Sequence, residues 1–207
     1  MTGKLITFEG IDGCGKSTQA RLLFDRLYSK GVECVLTREP GGSAGAEEIR
    51  NLLVKGTANR WSPETEILLF TAARRDHIER IIIPEIKKNK IVISDRFFDS
   101  TKIYQGATNA NLINLVNNLH NLVIKIIPFL TFVIDMDPQR ALSRGLARQT
   151  GEDRFEEFGI AFQTKLREGF IQLTQVEKKR CFLINGDDDP AIVASEIFQI
   201  YSNYSNE

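Results

Sequence analysis

The stretch GIDGCGKST, residues 10–18, constrains this chain more than any other, because it joins an apolar run, LITFE (residues 5–9), to an amphipathic one carrying Leu22, Leu23 and Leu27. Gly10, Gly15, Lys16 and Ser17 fit the spacing G-x-x-x-x-G-K-[ST]. Glycines let the backbone curl so that successive N–H groups point inward, and a helix starting near the lysine adds the positive end of its dipole. A di- or triphosphate is the natural occupant. In such a loop Lys16 would reach the β- and γ-phosphates and the Ser17 hydroxyl would bind Mg2+.

The same strand-then-helix pattern continues along the chain. Further β-rich runs are ECVLT (33–37), IVIS (91–94), LTFVID (130–135) and CFLI (181–184), separated by helical patterns such as Leu112, Leu115, Val116, Leu119, Leu122 and Val123. Strands apolar on both faces that alternate with helices predict an α/β fold, a five-stranded parallel sheet covered on both sides. Ligands in such sheets bind beyond the carboxyl ends of the strands. The segments following the strands there are GIDGCGKST, REPGG (38–42), DRFFDST (95–101) and IDMDP (134–138), so charged and glycine-rich chemistry gathers on one rim. Without repeats or linkers, residues 1–207 are expected to form one domain.

Three kinds of phosphate-loop protein compete: a small-molecule kinase, a GTPase-type switch and a mechanical ATPase. No NKxD is present to read guanine, DRFF offers no DxxG, and a motor would need a larger chain. A kinase requires a second anion site for its acceptor, and Arg38, Arg50, Arg74 and Arg96 at the rim suit one. Any one of them could equally be a solvated surface charge. Phe70 and Arg74 lie four residues apart and share a helix face, so they could hold a base between ring and guanidinium; core packing is the other reading of Phe70. Residues 141–157, ALSRGLARQTGEDRFEE, place Arg144, Arg148 and Arg154 around a glycine-containing interruption, as in a small mobile lid, or else in a solvated loop. No general base is evident, which suits an acceptor phosphate already ionised at neutral pH. Asp95, ending IVISD, is the carboxylate placed to orient Mg2+, or else to pair structurally with Arg96.

Together GIDGCGKST, TREPGG, LLFTAARRDHIE, ISDRFFDSTKIYQG and EDRFE resemble the thymidylate kinase family, bacterial type, within the P-loop nucleoside monophosphate kinases, over nearly the whole chain. That resemblance implies a three-layer P-loop kinase fold with a small lid, phosphorylation of dTMP to dTDP by ATP with Mg2+, and a homodimer formed through helix faces. Another nucleoside monophosphate kinase, or a nucleotide-binding regulatory protein, is the alternative. By resemblance, Gly10, Gly13, Cys14, Gly15, Lys16, Ser17 and Thr18, with Arg144, hold the donor, and Ser17 and Asp95 serve the metal. Asp12 meets the sugar 3′-hydroxyl; Arg38, Arg50 and Arg96 lie near the acceptor phosphate; Phe70 stacks on thymine beside Arg74. Thr101 and Gln105 meet the thymine edge, and Tyr104 lies against the sugar 2′ position. Lys16, Asp95, Arg96, Arg148 and Arg154 form the catalytic set. Some members of the family carry a catalytic arginine inside the loop where this chain has Gly13, so lid arginines, Arg148 first, are expected to take that role. Phe129 in PFLT stands where the family often has an acidic residue, which puts local packing there in question.

Composition agrees with a neutral small-molecule enzyme. Lys plus Arg and Asp plus Glu balance at 27 each, so no nucleic-acid or membrane-surface partner is expected. The opening MTGKLITFEG lacks the pattern of a signal peptide, and a cytoplasmic location is expected. Cys14, Cys34 and Cys181 have no CxxC spacing, and with only His77 and His120 beside them they support neither a disulfide framework nor a zinc site. The longest apolar stretch, residues 122–134, contains Lys125 and Pro128 and is too short for a membrane span; it reads as a helix end, a turn and a buried strand.

Overall fold

The computed structural model describes residues 2–55, 60–109, 111–147 and 159–205. Five strands, β1 (Lys4–Glu9), β2 (Cys34–Arg38), β3 (Ile91–Asp95), β4 (Leu130–Asp135) and β5 (Cys181–Asn185), form one sheet in the order β2-β3-β1-β4-β5. Every neighbouring pair runs parallel. The expected strands are therefore all present. β2 and β3 run one residue further than read, which puts Arg38 and Asp95 in the last rung of the sheet, opposite one another.

Alternation along the strands explains why helices cover both faces. Ile6 and Phe8 of β1 join Ile91 and Ile93 of β3 in the larger core, with Phe132, Leu23, Phe170 and Ile197. Leu5 and Val92 point the other way, into a smaller cluster with Ile78, Ile82, Phe97 and Ile124. A period of two thus sends successive side chains into different cores, which is what strands apolar on both faces require. The larger core is closed by α1 (Lys16–Ser29), α8 (Gly159–Val176) and α9 (Pro190–Ser205).

Local signals position the rim. α3 (Pro63–His77) starts with Pro63 after Ser62, whose Oγ accepts from the Thr65 N–H at 3.2 Å, a proline-first helix with a serine cap. It runs on through a π turn (Ile78–Ile82) into the short α4 (Ile83–Lys87); Pro84, which lacks an N–H, follows directly on that widened turn. α5 (Phe98–Thr108) begins three residues beyond β3, and α6 (Leu112–Leu119) ends in a second π turn (His120–Ile124) closed by left-handed Lys125. Leu112 and Val116 of α6 pack on Ile67 of α3, whereas Leu122 and Val123 beyond it are exposed. Phe129 donates its N–H to the Leu5 carbonyl (2.8 Å) and carries the Lys4 ammonium 3.6 Å above its ring, a cation–π contact. Among the described residues, no helix is long and apolar enough to cross a membrane.

Candidate active site

The glycine loop is held by its surroundings. Gly10 (φ +136) and Gly13 (φ +80) take backbone angles that disfavour side chains, and each is pressed against backbone: a Cβ on Gly10 would meet the Ile134 carbonyl oxygen, and one on Gly13 would land on that of Ala141. The second contact belongs to α7 (Pro138–Leu146), the helix after IDMDP. Asp137 caps α7, its Oδ1 accepting from the N–H groups of Gln139 and Arg140, both at 3.0 Å. Residues 141–146, the start of the expected lid, are thus helical, and Gly145 does not interrupt the helix. Arg148 and Arg154 lie outside the described residues.

The loop divides two cavities. One, of about 600 Å3, is lined by Cys14, Gly15 and Thr18 of the loop, Arg140 and Arg144 of α7, and the turn after β5. The other, of about 360 Å3, is lined by Asp12, Lys16 and Ser17 of the same loop, by Arg38, Arg50, Phe70 and Arg74, and by Asp95, Arg96, Thr101, Tyr104 and Gln105. Of the residues expected at the donor, Cys14, Gly15, Thr18 and Arg144 line the first cavity, whereas Lys16 and Ser17 line the second together with the residues expected at the acceptor. Gly10 and Gly13 line neither cavity and shape the loop instead. Phe70 is half-buried against the second cavity, so the core-only reading does not describe it.

Lys16 is buried, its ammonium donating to the Ile11 carbonyl at 2.6 Å, which keeps the charge inside the loop. Arg96 has a left-handed backbone (φ +70), an uncommon state for a residue other than glycine. Its guanidinium donates to the Gly10 carbonyl (3.0 Å), Ser100 Oγ (2.8 Å), Tyr104 Oη (3.1 Å) and Asp12 Oδ1. Tyr104 in turn donates to Asp12 Oδ2 at 2.7 Å. Burial alone would raise the Asp12 pKa, but Arg96 and Lys16 outweigh it and hold the carboxyl at about 2. The structural alternative for Asp95, a pair with Arg96, is not found: Arg96 pairs with Asp12, and Asp95 Oδ2 accepts from the Ser17 hydroxyl. Asp95 Oδ1 is buried without a hydrogen-bond partner among the described residues. A hydroxyl and a carboxylate with an unfilled oxygen make an oxygen-only donor pair, which fits Mg2+ completed by phosphate and water. No cluster of three or more His, Cys, Asp or Glu side chains suited to a metal occurs among the described residues.

Around the second cavity the remaining residues are fixed by groups that sequence reasoning passed over. Glu39 is buried; its Oε2 accepts from Arg74 Nε at 2.6 Å, and its Oε1 lies 3.0 Å from His77 Nδ1. Arg74 also donates to Thr101 Oγ1 (3.0 Å) and the Phe97 carbonyl (3.2 Å). Arg38, largely exposed, pairs with Glu47 at 3.2 Å, and Arg50 donates to the Pro40 carbonyl at 2.6 Å. Glu9, the last residue of β1, lies beneath Arg96, accepting from the Phe97 N–H (2.8 Å) and the Ser100 hydroxyl. Burial and the charge of Asp99 push its pKa up to about 7 against the pull of these hydrogen bonds and of Arg96. A charged residue ending an apolar strand at the carboxyl rim was the available signal for Glu9; Glu39 stood in REPGG, but nothing in the sequence marked it as buried.

The geometry agrees with what comparison finds. A family model described as Thymidylate kinase matches residues 8–197. The thymidylate kinase of Dinoroseobacter shibae is 60% identical over 195 residues, 94% of this chain and 94% of its own length. That of Ruegeria pomeroyi is 52% identical over 205 residues, 99% of this chain and 97% of its own. The crystal structure of thymidylate kinase from Ehrlichia chaffeensis matches with a TM-score of 0.78 at 36% identity, covering 97% of this chain and 99% of that one.

Proposed function

The chain belongs to the thymidylate kinase family, and from that premise we propose how its own residues carry the γ-phosphoryl group of ATP to dTMP. The observation that carries this reading is the shared wall: Cys14, Gly15 and Thr18 face one cavity while Lys16 and Ser17 face the other, so two phosphates can meet across a single loop. ATP lies in the larger cavity with Arg144 beside it and its phosphates on the loop N–H groups. Lys16, which donates to the Ile11 carbonyl and, at 3.7 Å, to Cys14 Sγ, has a third proton left for a phosphate oxygen at the junction. Ser17 and Asp95 hold Mg2+, which when bound neutralises charge on the transferring oxygens.

In the smaller cavity Phe70 stacks on thymine, Arg74 lies beside the base and phosphate, and Thr101 and Gln105 meet the base edge. Arg38, Arg50 and Arg96 surround the acceptor phosphate. Asp12 takes the 3′-hydroxyl, and Tyr104, fixed by Asp12 and Arg96, fills the 2′ side, where a ribose hydroxyl would need its space. A phosphate acceptor is already ionised at neutral pH and needs alignment more than a base. Arg148 and Arg154, which lie outside the described residues, are the cations proposed for the transferring group. The enzyme works in the cytoplasm as a homodimer, its partner helix face including exposed Leu68, Leu122 and Val123.

A coupled ADP-release assay with ATP and Mg2+, offering dTMP, dUMP, UMP, CMP and AMP in turn, tests this reading. Strong preference for dTMP is expected. Preference for another acceptor would overturn the base-site assignments, and absence of turnover with all five would overturn the reaction.

A further inference from the structure

Beneath the base-edge residue Gln105 lies a second buried polar side chain, Glu66. Gln105 is 2% exposed and Glu66 6%, and Gln105 Nε2 donates to Glu66 Oε2 at 3.1 Å. Glu66 lies in the first turn of α3, where the helix N-terminus favours negative charge, and its neighbour Ile67 is anchored against Leu112 and Val116 of α6. Phe70, one turn further along α3, lines the same cavity as Gln105. The carboxylate therefore has a fixed position relative to the base site.

We propose that Glu66 is the positioning residue that makes the site specific for an imide base, by fixing which way the Gln105 amide faces; this deepens the reading above and rests on Gln105 meeting the base. A carboxylate only accepts, so the amide must turn its NH2 group toward Glu66. Its carbonyl and remaining N–H are then presented as an acceptor beside a donor. Thymine and uracil offer the complement, an N3–H donor beside a carbonyl acceptor. Cytosine offers the reverse, a bare N3 beside an amino group. To pair with it Gln105 would have to flip, setting its carbonyl oxygen, an acceptor, against the acceptor oxygen of the Glu66 carboxylate in a buried place. Discrimination thus comes from an obstacle to the wrong base as well as from attraction to the right one.

The test compares kcat/KM for dTMP, dUMP and dCMP in the wild type, Glu66→Gln and Glu66→Asp, with N3-methyl-dTMP as an additional wild-type acceptor. In Glu66→Gln the near-isosteric amide can donate or accept, so Gln105 can flip: the dTMP to dCMP ratio is expected to fall at least tenfold while the dTMP to dUMP ratio stays within threefold. Glu66→Asp keeps an acceptor-only group and is expected to keep the dTMP to dCMP ratio within threefold. An unchanged ratio in Glu66→Gln would overturn the role of Glu66 alone, and an equal fall in both variants would assign the effect to packing and overturn it too. If the wild type used N3-methyl-dTMP as readily as dTMP, Gln105 would not meet the base edge, and the underlying reading would fail with the inference.

Discussion

Replacing Asp12 with asparagine tests the electrostatics of the junction directly. The carboxylate accepts from Arg96 and Tyr104 and lies near Lys16, and its pKa of about 2 stands below the ordinary 3.8. Because the folded value is the lower one, the folded state binds its proton less readily, so the contribution to stability is complete above pH 3.8 and is lost as pH falls toward 2. The fall from 3.8 to about 2, at about 1.4 kcal/mol per unit, gives a little over 2 kcal/mol at neutral pH. At pH 3 roughly half of that remains, since the unfolded carboxyl is then mostly protonated and the folded one is not. Urea denaturation of the wild type and Asp12→Asn at pH 7 and pH 3 is the assay. Carboxylates outside the Arg96 network titrate alike in both proteins and cancel in the difference. The difference in unfolding free energy is expected to shrink from about 2 to about 1 kcal/mol as the pH is lowered. An equal difference at both values would refute the argument, since a packing loss has no reason to follow the proton; no difference at pH 7 would show that Arg96 gains nothing from its partner.

Three further outcomes follow from the geometry. Phe70→Ala is expected to weaken dTMP binding about ten- to hundredfold by calorimetry, the range for losing an aromatic partner to a base, while ATP binding changes little; equal losses would return Phe70 to the core. Arg96→Ala is expected to lower kcat/KM for dTMP at least about a hundredfold in the coupled assay, close to 3 kcal/mol of barrier, because it removes the cation that ties the loop to α5 at the acceptor cavity. Gly13→Ala combines a positive φ, costing about 1–2 kcal/mol, with a clash on the Ala141 carbonyl, and should lower the thermal midpoint by at least about 5 °C; an unchanged midpoint would mean that α7 yields freely.

The strands and their order along the chain were legible because each is a short apolar run followed by charged or glycine-rich residues, and the loop because its spacing is demanding. Which side of the loop each residue faces was not. Lys16 and Thr18, two positions apart in the first turn of α1, stand about 200° apart around the helix axis and so line different cavities. The pairing of Asp12 with Arg96 joins residues 84 positions apart, and the carboxyl ends of β1 and β3 bring them together only once those strands are neighbours. Buried carboxylates were hardest to see. Glu9, Glu39 and Glu66 carry charges that sequence patterns assign to the surface, yet each is buried by serving another side chain or the backbone of the rim. Residues 141–146 read as part of a lid because Gly145 suggested a break, but the proline-led, aspartate-capped start at residues 137–138 carries the helix past it.

The contact of Gly13 with α7 also bears on how such enzymes diverge. An arginine cannot enter the phosphate loop at position 13 by one substitution here, because the first carbon of any side chain there would strike the Ala141 carbonyl. The helix would have to retreat first, and while it did so the wall of the larger cavity that it supplies would open. A side chain at position 13 thus costs the loop its shape and the larger cavity its wall together, and a lineage with glycine there is expected to keep it.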